Sequence, residues 1–341
     1  MGGFKMKESI KNKVDLLVAN KAKIEKEFAW GYPIMNIAAS LVFSGSGEEV
    51  DIARLRECRA LLKKKTGMFS SFRGTSEAFI ASKMALSDDP EKYLDNVKSI
   101  FNILNKGGFT DSGYLIQGAI CIYEADRTQD AEMIAKKYHE LYKKMSKKHP
   151  FLTSSDDIVY VILLCMTDKS VDTIFNEIEE CIAYLKKGAK LSVGDNEYQG
   201  LGELLALTDG NIIDKTDKVI ALYKTILAHG VKWGKEYNEF GSLATLIDLP
   251  VDNDTLVDEI VEVNEYLKKS KGFGSWTLDN KQRLMFSAML VGASYSEDNG
   301  VIGSSTVNSS VAMIIAEEVA MMICMMICLS AATSSATSTV Y

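Results

Sequence analysis

Proline occurs only four times in this chain of 341 residues, at Pro33, Pro90, Pro150 and Pro250. Each lies between apolar-periodic segments, so the stretches between them are open to uninterrupted helix. Histidine is scarcer still, at His139, His149 and His229, which leaves little for metal binding or a nucleophile–base arrangement. His139-Glu140 lacks the second histidine that a zinc-protease helix requires. Of the 39 basic residues only six are arginine (Arg54, Arg56, Arg59, Arg73, Arg127 and Arg283), so bidentate phosphate readers are few. With 46 acidic residues the net charge is -7, and nucleic acid is not expected as a main partner.

No close CxxC pair occurs, and Cys58, Cys121, Cys165, Cys181, Cys324 and Cys328 lie mostly in apolar helical stretches, which points to reduced, buried thiols in a cytosolic setting. Cys324 and Cys328 share a helix face without a histidine or acidic partner near, so no metal site is expected there. The start, Met1-Gly2-Gly3-Phe4-Lys5-Met6-Lys7-Glu8, turns polar at once, and the expectation is a protein kept in the cytoplasm. Met6 also fails the Ser/Thr requirement of a myristoylation signal. Gly45-Ser46-Gly47 and Gly272-Phe273-Gly274 follow no strand and continue into no phosphate-binding pattern, so they are loop glycines, and no cofactor is expected.

What is present is the composition of a folded soluble protein, 47% hydrophobic and 25% charged. Apolar residues recur at three and four spacing, as in Tyr93, Val97, Ile100, Phe101 and Leu104, whereas alternating strand patterns are scarce. The fold class expected is all-α, with about fifteen helices.

Two interleaved series reveal a repeat. Loops that follow a Lys-rich helix end begin at Gly67, Gly108, His149, Gly188, Gly230 and Gly272, spaced 41, 41, 39, 42 and 42 apart. Aspartates ending a short apolar run fall at Asp88, Asp126, Asp168, Asp209 and Asp248, spaced 38, 42, 41 and 39. Each unit reads as helix, Asp-containing turn, helix, Lys-rich end and glycine loop, with the aspartate expected to cap a helix start and the glycine a helix end. A period near 41 is that of an α/α superhelix, here about five to six helix pairs, with a closed α/α toroid as the alternative. The expected organisation is an N-terminal helical cap at 1–66, a repeat region at 67–295, and a loop with a final helix at 296–341. Within the last, Val311 to Ala332 is apolar and Met-rich, but only 14 residues follow Glu317-Glu318, short of the roughly 20 a membrane span needs. A buried terminal helix is the expectation; membrane contact through 311–332 and a Met-lined docking surface are the alternatives.

The acidic clusters Asp88-Asp89, Asp156-Asp157, Asp195 with Glu197, and Asp252 with Asp254 all sit where a helix cap is expected, so none is assigned a catalytic role. Phe72, Tyr114, Tyr198 and Tyr237 recur early in the first helix of several units, where an aromatic packs between units or lines a solenoid wall. Arg73 stands alone beside aromatics at a helix start, where a positive charge needs a partner. These five are the candidate binding residues.

Gly67-Met68-Phe69-Ser70-Ser71-Phe72-Arg73-Gly74, the turn Leu86-Ser87-Asp88-Asp89-Pro90-Glu91 and the junction Gly108-Phe109-Thr110-Asp111-Ser112-Gly113-Tyr114 resemble the bacterial family known as domain of unknown function 4003. The resemblance extends over most of the chain. It implies a cytoplasmic bacterial protein and transfers no catalytic residue.

Two functions are weighed on this basis. The first is a binding or scaffold module for a protein or peptide, because stacked pairs create extended surfaces and no reaction chemistry stands out. The second is a toroid enzyme, which requires Asp or Glu side chains to converge in one interior, with at least one desolvated enough to shift its pKa.

Overall fold

The computed structural model describes residues 6–298 apart from 29–33, 69, 108–112, 189–190, 209 and 276, with only the backbone of 296–298. The Met-rich stretch 311–332, Cys324 and Cys328 lie outside the described residues.

The described residues form fourteen α-helices and no strand, in seven consecutive pairs. The first three pairs are α1 (Glu8–Glu27) with α2 (Ile34–Gly45), α3 (Ile52–Lys65) with α4 (Glu77–Leu86), and α5 (Pro90–Leu104) with α6 (Gly113–Glu124). Then come α7 (Ala131–Lys148) with α8 (Ile158–Cys165), and α9 (Val171–Gly188) with α10 (Asp195–Leu207). The last are α11 (Ile212–Ala228) with α12 (Tyr237–Gly241), and α13 (Asn253–Lys269) with α14 (Asn280–Asp298).

The two members of a pair differ in sequence pattern, and the pattern decides their layer. In α5 the buried residues are Tyr93, Leu94, Val97, Ile100, Phe101 and Leu104, a single stripe with a polar face left to water. In α8 every residue from Ile158 to Cys165 is buried, as a helix apolar all round must be. Odd-numbered helices accordingly pack on one another as an outer layer, α3 on α5 and so on to α11 on α13. Even-numbered helices pack as an inner layer, α2 on α4, α6 on α8, α8 on α10, α10 on α12 and α12 on α14.

The ends of the chain of pairs meet. Helix α1 packs on α14, the Met6 N–H donates to Glu262 Oε1 at 2.9 Å, and Lys7 Nζ lies 3.0 Å from Glu259 Oε1 on α13. Tyr266 donates its hydroxyl proton to Asp15 across the same seam. The contact of α1 with α14 brings the two ends of the array together, as the closed-toroid alternative requires. The physical reason is that α1 carries a buried face, Ile10, Val14, Leu17 and Ile24, which needs a second surface besides α2.

The aspartate series marks the turns but does not supply the caps. The outer helices are capped by Asp89, Ser170, Asn211 and Asp252, which accept from the backbone N–H of Lys92, Thr173, Asp214 and Thr255 at 3.0, 3.1, 2.9 and 2.9 Å. The cap thus falls one to four residues after Asp88, Asp168 and Asp248, because the chain must first turn out of the inner layer. Asp126 itself adopts φ 55°, a left-handed turn. Among the loop glycines, Gly230 and Gly272 take left-handed conformations, at φ 69° and 84°. Replacing the Asn211 cap, Asn211→Ala, is expected to lower stability by about 1 kcal/mol in urea titration.

Cys58, Cys121, Cys165 and Cys181 are buried free thiols. Burial pushes Cys58 and Cys181 up to about 11 and Cys165 up to about 12, so these thiols stay protonated and unreactive at neutral pH. Among the described residues no helix is long and apolar enough to cross a membrane.

Candidate functional site

Three inner helices bring their polar residues to one place. Asp157 occupies the turn that opens α8, with Tyr160 one residue-turn further on; Gln199 and Glu203 lie on one face of α10; Tyr237 and Asn238 begin α12. Local chemistry fixes each. Asp157 closes a capping box with Ser154, whose backbone N–H donates to Asp157 Oδ2. A second box, Glu236 with Glu239, starts α12, and the Trp233 indole donates to the Glu239 carbonyl at 2.9 Å. Helix α12 can lie against α10 because two glycines meet there. A Cβ at Gly200 would stand 2.7 Å from the Tyr237 ring, and one at Gly241 would stand 2.9 Å from Leu204 Cδ1. The variant Gly200→Ala is therefore expected to displace the Tyr237 ring at a cost of about 1–3 kcal/mol, measured by denaturant unfolding.

The Gln199 amide donates to Asp157 Oδ1 at 2.9 Å. The Tyr237 hydroxyl lies 2.7 Å from Asp157 Oδ1 and also 2.7 Å from Glu203 Oε2. The Tyr160 hydroxyl donates to Asn238 Oδ1 at 2.8 Å, and the Tyr160 and Tyr237 rings stack at 5.7 Å. Asp157 and Tyr237 are 80 residues apart and Tyr160 and Asn238 are 78, two periods in each case, so side chains of α8 and α12 meet past α10. Asp157, Tyr160 and Glu203 are fully buried.

Counting protons assigns the charges. Tyr237 has one hydroxyl proton and two carboxyl oxygens at equal distance. Two bare carboxylates cannot hold that arrangement, so one of them carries a proton. Burial, and then the charge of Asp157, hold the Glu203 carboxyl well above the usual range. Burial also raises Asp157, but three donors, Ser154 N–H, Tyr237 and Gln199, oppose the rise. Of the two, Glu203 is the one that burial and its neighbour hold further toward the neutral form. Burial, then the neighbouring charge, keep Tyr160 and Tyr237 protonated. Two acceptor atoms of the group, Gln199 Oε1 and Glu203 Oε1, are buried without a hydrogen-bond partner. Among the described residues no cluster of three or more His, Cys, Asp or Glu side chains is placed to hold a metal ion.

Of the five residues singled out from sequence, Tyr237 stands in this group. Tyr114, half-buried at the start of α6, lies close enough to Tyr160 to bear on its titration. Tyr198 is buried next to Gln199 and accepts a hydrogen bond from the Leu191 N–H at 3.4 Å, with Lys186 over its ring. Phe72 is buried edge-on against Phe101 at 5.3 Å. The Arg73 guanidinium donates to the Thr66 carbonyl at 2.7 Å and to that of Lys63, so its partners are the carbonyls ending α3 and not a carboxylate.

Gln199, Glu203, Tyr160 and Asn238 were not legible as a site, yet a third series carries part of the signal. Asn36, Glu77, Gln117, Asp157, Gln199 and Asn238 are polar residues near inner-helix starts, spaced 41, 40, 40, 42 and 39, and all are buried. The series is not a uniform ring: Glu77 turns outward to Arg59 and Lys63 of α3.

A family model described as a protein of unknown function, DUF4003, matches residues 20–320. No curated protein and no solved structure matches the chain.

Proposed function

The chain belongs to the DUF4003 family, which brings no activity with it, and we propose that the protein holds a small-molecule acid–base site in its interior, built on Asp157, Glu203 and Tyr237. The observation that carries this reading is the buried carboxyl pair, Asp157 and Glu203, bridged by the Tyr237 hydroxyl, with acceptor atoms left over. Such a pair can give a proton from Glu203 and take one on Asp157, which is general acid–base chemistry. The setting we propose is the bacterial cytoplasm.

Thermal-shift screening of the full chain against a metabolite library tests the reading. Compounds that raise the midpoint of the wild type but not of Asp157→Asn or Glu203→Gln are expected. A library that shifts neither the wild type nor the variants counts against it.

A second reading, a scaffold that docks a protein or peptide partner, is favoured by the outer rim. Met68 and Phe151 follow the ends of α3 and α7, sit two periods apart, and are 76% and 98% exposed. Under this reading the double variant Met68→Ser, Phe151→Ser folds normally and loses its cross-linked partner; an unchanged cross-linking pattern removes the rim from consideration.

A further inference from the structure

In the later repeats the bulky apolar residue that follows an outer helix turns inward: Leu191 after α9, Trp233 after α11 and Phe273 after α13 are all buried. In two earlier repeats it does not, and Met68 after α3 and Phe151 after α7 are 76% and 98% exposed. The loop position therefore does not force exposure, and the Phe151 ring forgoes the burial that its counterparts obtain. The two tips stand on one rim. Lys137 reaches the Thr167 carbonyl and His149 the Glu179 carboxylate, each 30 residues further on, so α7 and α9 run parallel. Lys65 with Asp95 repeats that offset between α3 and α5. Parallel outer helices end on one side, and α3 and α7, two helix spacings apart, hold their tips on the order of 20 Å from each other.

Charge gathers at the base of both tips. The last turn of α3 holds Lys63, Lys64 and Lys65, and that of α7 holds Lys147 and Lys148. Lysine at a helix end answers the dipole, and several of these residues also meet an acid: Lys63 pairs with Glu77, Lys65 with Glu91 and Asp95, and Lys144, a turn earlier in α7, with Asp172. Lys64, Lys147 and Lys148 do not. All three are exposed and form no ion pair among the described residues. The charge left unanswered beside Met68 and Phe151 is thus positive, although the chain carries -7 overall. At physiological ionic strength a charge is screened beyond about 8 Å, so it is this local sign that a partner meets.

We infer that this sector of the rim, Met68 and Phe151 with Lys64, Lys147 and Lys148 at their base, rests on an anionic lipid surface. The inference is independent of the interior acid–base site, and it gives the rim a lipid in place of the protein partner of the second reading. A ring that is 98% exposed stands clear of the surface around it and is not the wall of a groove that clasps a peptide, so the partner must supply the apolar surroundings. A bilayer interface does so: apolar tips enter the acyl boundary while ammonium groups stay at the phosphates. One weak anchor gives only marginal attachment, so the apolar tips and the lysines are both required.

Flotation of the full chain with vesicles of phosphatidylcholine, alone or mixed with phosphatidylglycerol, tests the inference. The wild type is expected to float with the mixed vesicles at an ionic strength of about 0.1 M, to be released at about 1 M, and to stay behind with phosphatidylcholine alone. Each lysine near an anionic surface strengthens attachment about fivefold, so Lys147→Gln with Lys148→Gln is expected to lower partitioning at least about tenfold. Met68→Ser with Phe151→Ser is expected to do the same. All four positions are exposed, and thermal unfolding establishes that both double variants fold as the wild type does. A wild type that does not float overturns the inference; if the serine variant then also loses a cross-linked protein, the rim belongs to the second reading. Equal flotation with phosphatidylcholine alone, or flotation unchanged in both double variants, puts the contact elsewhere on the chain and overturns it as well.

Discussion

Above about pH 5 the wild-type protein is expected to lose stability as the pH rises, and Glu203→Gln to flatten that loss. The sign follows from which state holds the proton. In the unfolded chain Glu203 ionises near its ordinary value of 4.5, whereas in the folded protein burial and the Asp157 charge hold it protonated well above that. Below the unfolded value both states carry the proton and Glu203 contributes no slope. Above it the folded state binds one more proton than the unfolded state, so stability falls by about 1.4 kcal/mol per pH unit until Glu203 ionises in place. Asp157, also raised by burial, acts in the same direction over a narrower range. Glu239, raised by burial, adds a background that is common to the wild type and the variant. Glutamine keeps the shape and the donor while removing the titration. Urea unfolding of both proteins at unit pH steps reads the difference, and parallel profiles would remove the shared proton from the account.

The second large effect is expected at Asp157→Ala, a loss of about 3–5 kcal/mol. Truncation leaves two buried donors, the Gln199 amide and the Tyr237 hydroxyl, and the partly buried Ser154 N–H without their acceptor. It also removes the capping box that starts α8. If Asp157 were a cap and nothing more, the loss would be about 1 kcal/mol, so the magnitude separates the two roles. Asp157→Asn retains one oxygen for the Tyr237 hydroxyl and is expected to lose less than the alanine variant. Guanidinium unfolding checks the order, and an alanine variant within about 1 kcal/mol of wild type reduces Asp157 to its cap.

The outer helices were legible because their signal is local. Tyr93, Val97, Ile100, Phe101 and Leu104 declare a helix and its buried face within one stretch of chain. The caps were legible to within a few residues. The repeat pointed to the turn at Asp88, Asp168 and Asp248, but which polar residue accepts the first amide protons depends on where the chain leaves the inner layer. Asp157 was seen only as a cap, since Ser154 and Asp157 satisfy that pattern by themselves. Glu203 was passed over in an apolar helix, where its neighbours Leu201, Leu204 and Leu205 gave no hint of a partner. Arg73 was read as a charge in need of a partner, and it found backbone carbonyls, which carry no sequence mark.

What the sequence by itself determined is the helix class and the pairing into units near 41 residues, because each depends on residues three, four or one period apart. What only the tertiary structure decided is the closure of α1 on α14 and the meeting of Asp157, Glu203 and Tyr237. The seam joins residues 256 positions apart, and the carboxyl pair is bridged across 80 and 34. At such separations, contact is set by how many helix pairs complete the turn and by how closely Gly200 and Gly241 let two backbones approach.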